Sequence, residues 1–271
     1  MDVVIDERKR LDQQATRVTI NYPRCVGVFD QDGFAARFEW GQPGLRTLLP
    51  HVDLTVIVDV LSFSTAVDVA TARGACVLPY AWRDESAAAF ATKHAAVLAV
   101  NRYHVSAEQP YSLSPSTLAQ IPPQTRVVLP SPNGSTLTTL AAEAHRVASG
   151  CLRNARAVGT WACTRTTVAV IAAGELRRDG TLRFAIEDLL GAGAILSHWP
   201  KTSRSPEAEV AVATFQHVEH ELPSVLAQCA SGREITAAGF PEDVAMAAEL
   251  DVSDAIPVFV DPGWYANVSS L

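Results

Sequence analysis

The chain has 271 residues, 48% of them hydrophobic and 19% charged, enough to bury a full core without disulfide or metal staples. A net charge of −7 argues against a protein that wraps a nucleic-acid backbone, and no apolar run approaches the roughly 20 residues of a membrane helix. The N-terminal charges follow the apolar residues, the reverse of a secretory signal, and the five cysteines include no CxxC pair, so reduced thiols in a cytoplasmic protein are expected.

In chain order, residues 19–22 and 26–29 are expected as lead-in strands or an edge hairpin. Residues 1–50 would then pack on a main domain of 51–271. Strands are expected at 54–59, 75–80, 96–100, 126–129, 147–149, 168–172 and 256–260, from their continuous β-branched and apolar character. Between them, Ala-rich periodic stretches predict helices over 64–73, 84–94, 135–145, 187–197, 206–220 and 242–249. The first strand, helix and second strand read as one βαβ unit. Residues 109–124, rich in Ser and Pro, read as a surface loop. Strands alternating with helices predict an α/β fold with a largely parallel or mixed sheet covered on both faces.

Ligands in such sheets bind beyond the carboxyl ends of the strands, where helix N-termini point. After the first predicted strand come Asp59, Ser62, Ser64 and Thr65. A carboxylate followed by hydroxyls at a helix start suits a hard divalent metal and phosphate oxygens. The same pattern is also an ordinary Ser or Thr N-cap with Asp59 bonded to a loop. After 126–129 come Asn133, Gly134 and Ser135, an anion-binding nest or a tight turn with a capping serine. Arg153 and Asn154 follow 147–149; Arg153 is either a guanidinium for an anionic substrate or a solvated surface arginine. Glu175 follows 168–172, and Glu187 and Asp188 open the next helix, where the helix dipole favours carboxylates without any function. Gly191 and Gly193 inside that helix cost stability and predict close backbone packing. His217 and His220 lack a third ligand in sequence and read as a solvated face.

Several blocks occur together: Val-Ile-Val-Asp59-Val-Leu-Ser62-Phe-Ser64-Thr65, Ser131-Pro-Asn133-Gly134-Ser135, Gly150-Cys-Leu-Arg153-Asn154, Gly174-Glu175, Glu187-Asp188-Leu-Leu-Gly-Ala-Gly193, Ser231-Gly-Arg233 and Gly239-Phe-Pro-Glu-Asp243. Over about residues 52–260 they resemble the Mg²⁺-dependent 2-phosphosulfolactate phosphatases of coenzyme M biosynthesis. The resemblance implies a three-layer α/β/α fold and hydrolysis of a phosphate ester on a small sulfonated hydroxy acid, with Mg²⁺ as cofactor. It makes Asp59, Glu175 and Glu187 candidate metal ligands and Asp59, Glu175 and Asp188 candidate catalytic groups. Ser62, Ser64, Thr65, Arg102, Asn133, Gly134, Ser135, Arg153 and Asn154 become candidate phosphate and substrate contacts.

Ser62 stands where the family usually has arginine, and Asn101 where it has glutamate, with Arg102 retained. No serine replaces a bidentate guanidinium. Three readings follow: a phosphatase for 2-phospho-3-sulfolactate, a phosphatase for a related phosphorylated 2-hydroxy acid without the sulfonate, or an inactive relative that binds a phosphorylated or sulfonated metabolite. All three take a small-molecule partner, with no nucleic acid and no membrane. A homodimer is compatible with the sequence, which carries no signal for it.

Overall fold

The computed structural model describes residues 27–269 except 82, 83, 145, 178 and 262. Among the described residues nine strands form one mixed sheet: β1 (Ala36–Trp40), β2 (Leu54–Val58), β3 (Cys76–Tyr80), β4 (Val97–Leu98), β5 (Arg126–Pro130), β6 (Arg146–Gly150), β7 (Val168–Ala172), β10 (Pro257–Val260) and β11 (Trp264–Asn267). Their spatial order is β1-β7-β2-β6-β10-β11-β3-β5-β4. The first four are mutually parallel, as are β3, β5 and β4. The β10–β11 hairpin joins the two groups through antiparallel pairings. A separate two-stranded hairpin pairs β8 (Glu175–Leu176) with β9 (Leu182–Arg183).

Side chains alternate across the strands, as a sheet covered on both faces requires. Leu54, Val56 and Val58 of β2, with Val168, Val170 and Ala172 of β7, enter one core. There they meet the helices α6 (Ala155–Ala162), α7 (Ile186–Leu196) and α8 (Pro206–Val218). Ile57, Ala169 and Ile171 point the other way, into a core shared with α1 (Gly41–Leu48), α2 (Phe63–Ala72) and α5 (Gly134–Ala142). The result is a three-layer α/β/α fold. Helices α2 and α5 each touch strands of both parallel groups, so the sheet curls around them. That curl brings the carboxyl ends of β2 and β5 to one place although the strands run in opposite senses. Gly191 and Gly193 of α7 do sit at close approaches: a Cβ on Gly193 would lie 2.2 Å from the Ala211 carbonyl oxygen of α8, and one on Gly191 2.7 Å from Val60.

Several expectations need correction. Residues 28–30 form a 3₁₀ turn, not a strand. The Asp30 carboxylate accepts the amides of Gly27 and Asp32 at 3.1 and 2.9 Å and closes the chain there. Residues 19–22 and 26 lie outside the described residues, and the edge strand is β1, further along. Strands β2 and β3 are not a βαβ pair, because β6, β10 and β11 stand between them. The stretch 109–124 is no plain surface loop: Leu118 and Ile121 are fully buried, and the turn α4 (Pro115–Leu118) is tied by Thr117 and Ser114 hydroxyls. Helices α3 (Ser86–Lys93) and α11 (Pro241–Ala247) match expectation closely. Helices α6, α9 (Leu222–Gln228) and α10 (Ala230–Ala237) do not appear in the sequence reading. Among the described residues no helix is long and apolar enough to cross a membrane. Cys76, Cys151, Cys163 and Cys229 are free thiols, and burial above all pushes the Cys151 thiol up to about 12.

Candidate active site

A cavity of about 620 Å³ opens where β2, β4, β5 and β7 end. Asp59, the first residue after β2, stands at its base. Its Oδ1 accepts the Phe63 amide at 3.3 Å and its Oδ2 the Gly134 amide at 3.0 Å. These are the first residues of α2 and α5, so two helix N-termini aim N–H donors at one carboxylate. The loop behind it is fixed from within. The Asp59 amide donates to Ser64 Oγ at 3.0 Å, and Ser64 Oγ donates to the Ile57 carbonyl at 3.1 Å. Thr65 Oγ1 donates to the Val60 carbonyl at 2.7 Å. Gly134 permits this arrangement, because a Cβ there would lie 2.2 Å from the Phe63 ring and 2.9 Å from Asp59 Oδ2.

Helix α7 supplies the second carboxylate group. Asp188 accepts the Val60 amide at 2.7 Å and the Gly174 amide at 2.9 Å, one on each oxygen, which ties α7 to the ends of β2 and β7. Burial first, then the charges of Asp59 and Glu187, push the Asp188 carboxyl well above the usual carboxylate range. Glu187 is buried beside it, and its Oε2 has no hydrogen-bond partner among the described residues. Burial and then the Glu187 charge hold the neighbouring Cys229 thiol up to about 11.

Glu175 also lines the cavity but is engaged. Arg183, directly opposite in the β8–β9 pairing, places Nε 2.8 Å and Nη2 2.6 Å from Glu175 Oε2. The same guanidinium donates to Ser231 Oγ and stands 3.9 Å from Glu187 Oε1. Arg183 is absent from the sequence-derived candidates. The signal for it was present: Asp179-Gly180 between short strands is a hairpin turn, with Gly180 at φ +80°, and it sets Arg183 against Glu175.

At another part of the wall, Arg102 reaches the cavity from the turn after β4. Its Nη2 donates to Ser62 Oγ at 3.3 Å, its Nη1 stands 3.4 Å from buried Asp243 Oδ2, and it lies 5.2 Å over the Phe240 ring. Asn133, at the cap of α5, lines the same space.

Asp59, Ser62, Arg102, Asn133, Glu175, Glu187 and Asp188 therefore share one cavity. Six candidates do not line it. Ser64 and Thr65 brace the β2 loop. Ser135 Oγ donates to the Leu129 carbonyl at 3.0 Å. Asn154 holds the Cys151 amide at 2.9 Å and the Ala255 carbonyl at 3.2 Å. Arg153 is neither a cavity guanidinium nor a solvated one: its Nε bonds buried Asp68 at 3.0 Å, and its Nη1 pairs with Glu249. Gly134 reaches the site only through its amide. The expected side-chain caps are also displaced, since α2 and α5 begin after Ser62 and Asn133 without a side-chain cap bond.

No three His, Cys, Asp or Glu side chains among the described residues form a ready metal cluster. The oxygens nearest to such a role are those of Asp59, Glu187 and Asp188, because Arg183 already takes Glu175.

A family model described as 2-phosphosulpholactate phosphatase matches residues 46–262. A protein named probable 2-phosphosulfolactate phosphatase, from Carboxydothermus hydrogenoformans, is 27% identical over 133 residues, which cover 48% of this chain and 54% of that protein. The match thus spans about half the length of that curated relative. With the family model covering most of the chain, the protein belongs to the 2-phosphosulpholactate phosphatase family.

Proposed function

We propose that the protein is a Mg²⁺-dependent phosphatase acting on a small anionic phosphoester, 2-phospho-3-sulfolactate or a related phosphorylated 2-hydroxy acid. The observation that carries this reading is the Asp59 carboxylate, clamped by the amides of two helix N-termini beside the buried carboxyl groups of Asp188 and Glu187. Mg²⁺ takes hard oxygen ligands, keeps several waters and needs only one or two carboxylates besides substrate phosphate. Asp59 and Glu187 fit such a partner without a preformed three-ligand cage, and Glu175 does not. When bound, the ion would neutralise phosphoryl charge.

The chain's own groups divide the remaining work. Asp59 and Asp188 hold fixed positions through paired backbone amides, so neither must reorganise during the reaction. Asn133 and the polar groups of Ser62 and Ser131 border the space for phosphoryl oxygens. Arg102 meets an anionic group on the organic part of the substrate. Both Asp59 oxygens already accept amides, which favours a water as the nucleophile over Asp59 itself. The engaged Glu175 is a feature that favours the alternative, a relative that binds such a metabolite without turning it over.

Inorganic phosphate release decides between them. Wild-type protein stripped with EDTA is expected to be silent, with activity returning on addition of Mg²⁺. Tight binding of a phosphoester with no release under either condition would overturn the phosphatase reading.

A further inference from the structure

Asp243 is the third residue of α11, a place where an aspartate ordinarily faces solvent and favours the helix N-terminus by its charge alone. This one is fully buried, and α11 has no side-chain cap bond. Its Oδ1 accepts the Ser114 hydroxyl at 2.5 Å and the Ser116 amide at 3.3 Å, where α4 begins. Its Oδ2 has no hydrogen-bond partner among the described residues and stands 3.4 Å from Arg102 Nη1. One oxygen thus serves the fold and the other faces a cation. Burying such a pair is weak as a stability device, because desolvation offsets the attraction.

What the pair does fix is the guanidinium. Arg102 Nη1 faces Asp243, Nη2 donates to Ser62 Oγ at 3.3 Å, and the group lies 5.2 Å over the Phe240 ring, three residues before Asp243. Phe240 in turn meets Tyr103, the neighbour of Arg102, edge-on at 5.4 Å. Asn101 closes the turn that carries them, its Oδ1 accepting the Tyr103 amide at 3.1 Å. Arg102 lines the cavity. Ser62 immediately precedes α2, whose first amide holds Asp59. The guanidinium therefore stands at a set place relative to the carboxylate at the cavity base, and a planar fork held in this way is pre-organised for an anion.

We propose that Asp243 is a positioning residue: together with Phe240 it holds Arg102 at the cavity wall, where the guanidinium takes an anionic group that the ester carries besides its phosphate. This rests on the phosphatase reading above and deepens it.

Asp243→Asn separates the two oxygens. It keeps an acceptor for Ser114 and Ser116 and turns an uncharged amide toward Arg102. With Mg²⁺ present, KM for 2-phospho-3-sulfolactate and for 2-phospholactate is expected to rise about tenfold, while kcat stays within about threefold. The inhibition constant of inorganic phosphate, which has no second anionic group, should stay within about twofold. A merely structural role would move all of these constants together. Phe240→Leu removes the ring face from a half-buried position without exposing a buried charge. It should raise KM for the same esters about two- to fivefold, again with phosphate inhibition unchanged. Should Asp243→Asn fail to fold, Phe240→Leu decides. Unchanged KM, or KM and the phosphate constant rising in parallel, would overturn the positioning role and leave the phosphatase reading standing. No phosphate release from either ester by wild-type protein would overturn the phosphatase reading. Calorimetric Kd values for the two esters then decide the positioning role: about tenfold weaker binding by Asp243→Asn supports it, and equal affinity or no binding overturns it.

Discussion

Gly134→Ala places a methyl group where the site has no room. The new Cβ would lie 2.2 Å from Phe63 Cδ1, 2.6 Å from Cγ and 2.9 Å from Asp59 Oδ2. Phe63 cannot retreat freely, because it is fully buried and packs edge-on against Tyr265 at 6.3 Å. Overpacking of this kind costs about 1–3 kcal/mol, set against at most ~1 kcal/mol of helix propensity gained. At roughly 2–4 °C per kcal/mol for a chain of this size, the melting temperature should fall by several degrees. The functional loss should be larger. Shifting α5 breaks the 3.0 Å bond from the Gly134 amide to Asp59, and a hydrogen bond to a charged group is worth about 1.5–3 kcal/mol. A fall of about 10–100-fold in kcat/KM follows if that energy is used in the transition state. Urea unfolding and phosphate release would be measured on Gly134→Ala, on Phe63→Leu and on the double variant, with Thr139→Ala as an exposed control on the same helix. The smaller leucine makes room, so the double variant should be more stable and more active than the two single changes predict by addition. Gly134→Ala with wild-type stability and activity, or strict additivity, would refute the steric account of Asp59 placement.

Arg153→Met should cost about 3–5 kcal/mol, because it leaves Asp68 buried without its cation; at a temperature where the variant is folded, KM should stay within twofold, and a large KM rise would restore Arg153 to the substrate site. Burial above all holds the Asp68 carboxyl above its ordinary range, against the opposing effects of Ser253 and Arg153. Asp68 therefore favours the fold most in acid, and this contribution fades as pH rises through its raised folded value. The stability deficit of Asp68→Asn should accordingly shrink as pH rises above the ordinary carboxylate range and through the raised folded value, and a deficit constant with pH would contradict the burial argument. Gly193→Ala drives a Cβ to 2.2 Å from the Ala211 carbonyl; backbone cannot yield as a side chain does, so a loss of at least about 1–3 kcal/mol is expected by calorimetry, and an unchanged melting point would show that α7 and α8 slide freely.

The interiors of the parallel strands were legible because β2, β5 and β7 are runs of residues buried on both faces, with helical periodicity following β2 and β5 directly. Strand direction was not. Nothing in the period of β3 or β5 records that the β10–β11 hairpin reverses that half of the sheet. The site followed the same division. Asp59, Glu187 and Asp188 stand at a strand end and a helix start, where local pattern points. Arg153 looked like a substrate arginine from its position after a strand, but its partner Asp68 lies 85 residues away in sequence. Residues Ser64, Thr65 and Ser135 look like caps or phosphate ligands, and their hydroxyls instead bond carbonyls at the preceding strand ends. A hydroxyl at a helix start satisfies either role, and only the path of the loop chooses between them.

The central claim is that Asp59 organises a phosphatase site. Phosphate release by Asp59→Asn, compared with wild type in saturating Mg²⁺ and with matched circular dichroism, tests it most directly. Asparagine has one acceptor oxygen for two amides and no charge for a cation, so a loss of at least about 100-fold in kcat is expected. A folded Asp59→Asn protein that releases phosphate at the wild-type rate would contradict the account.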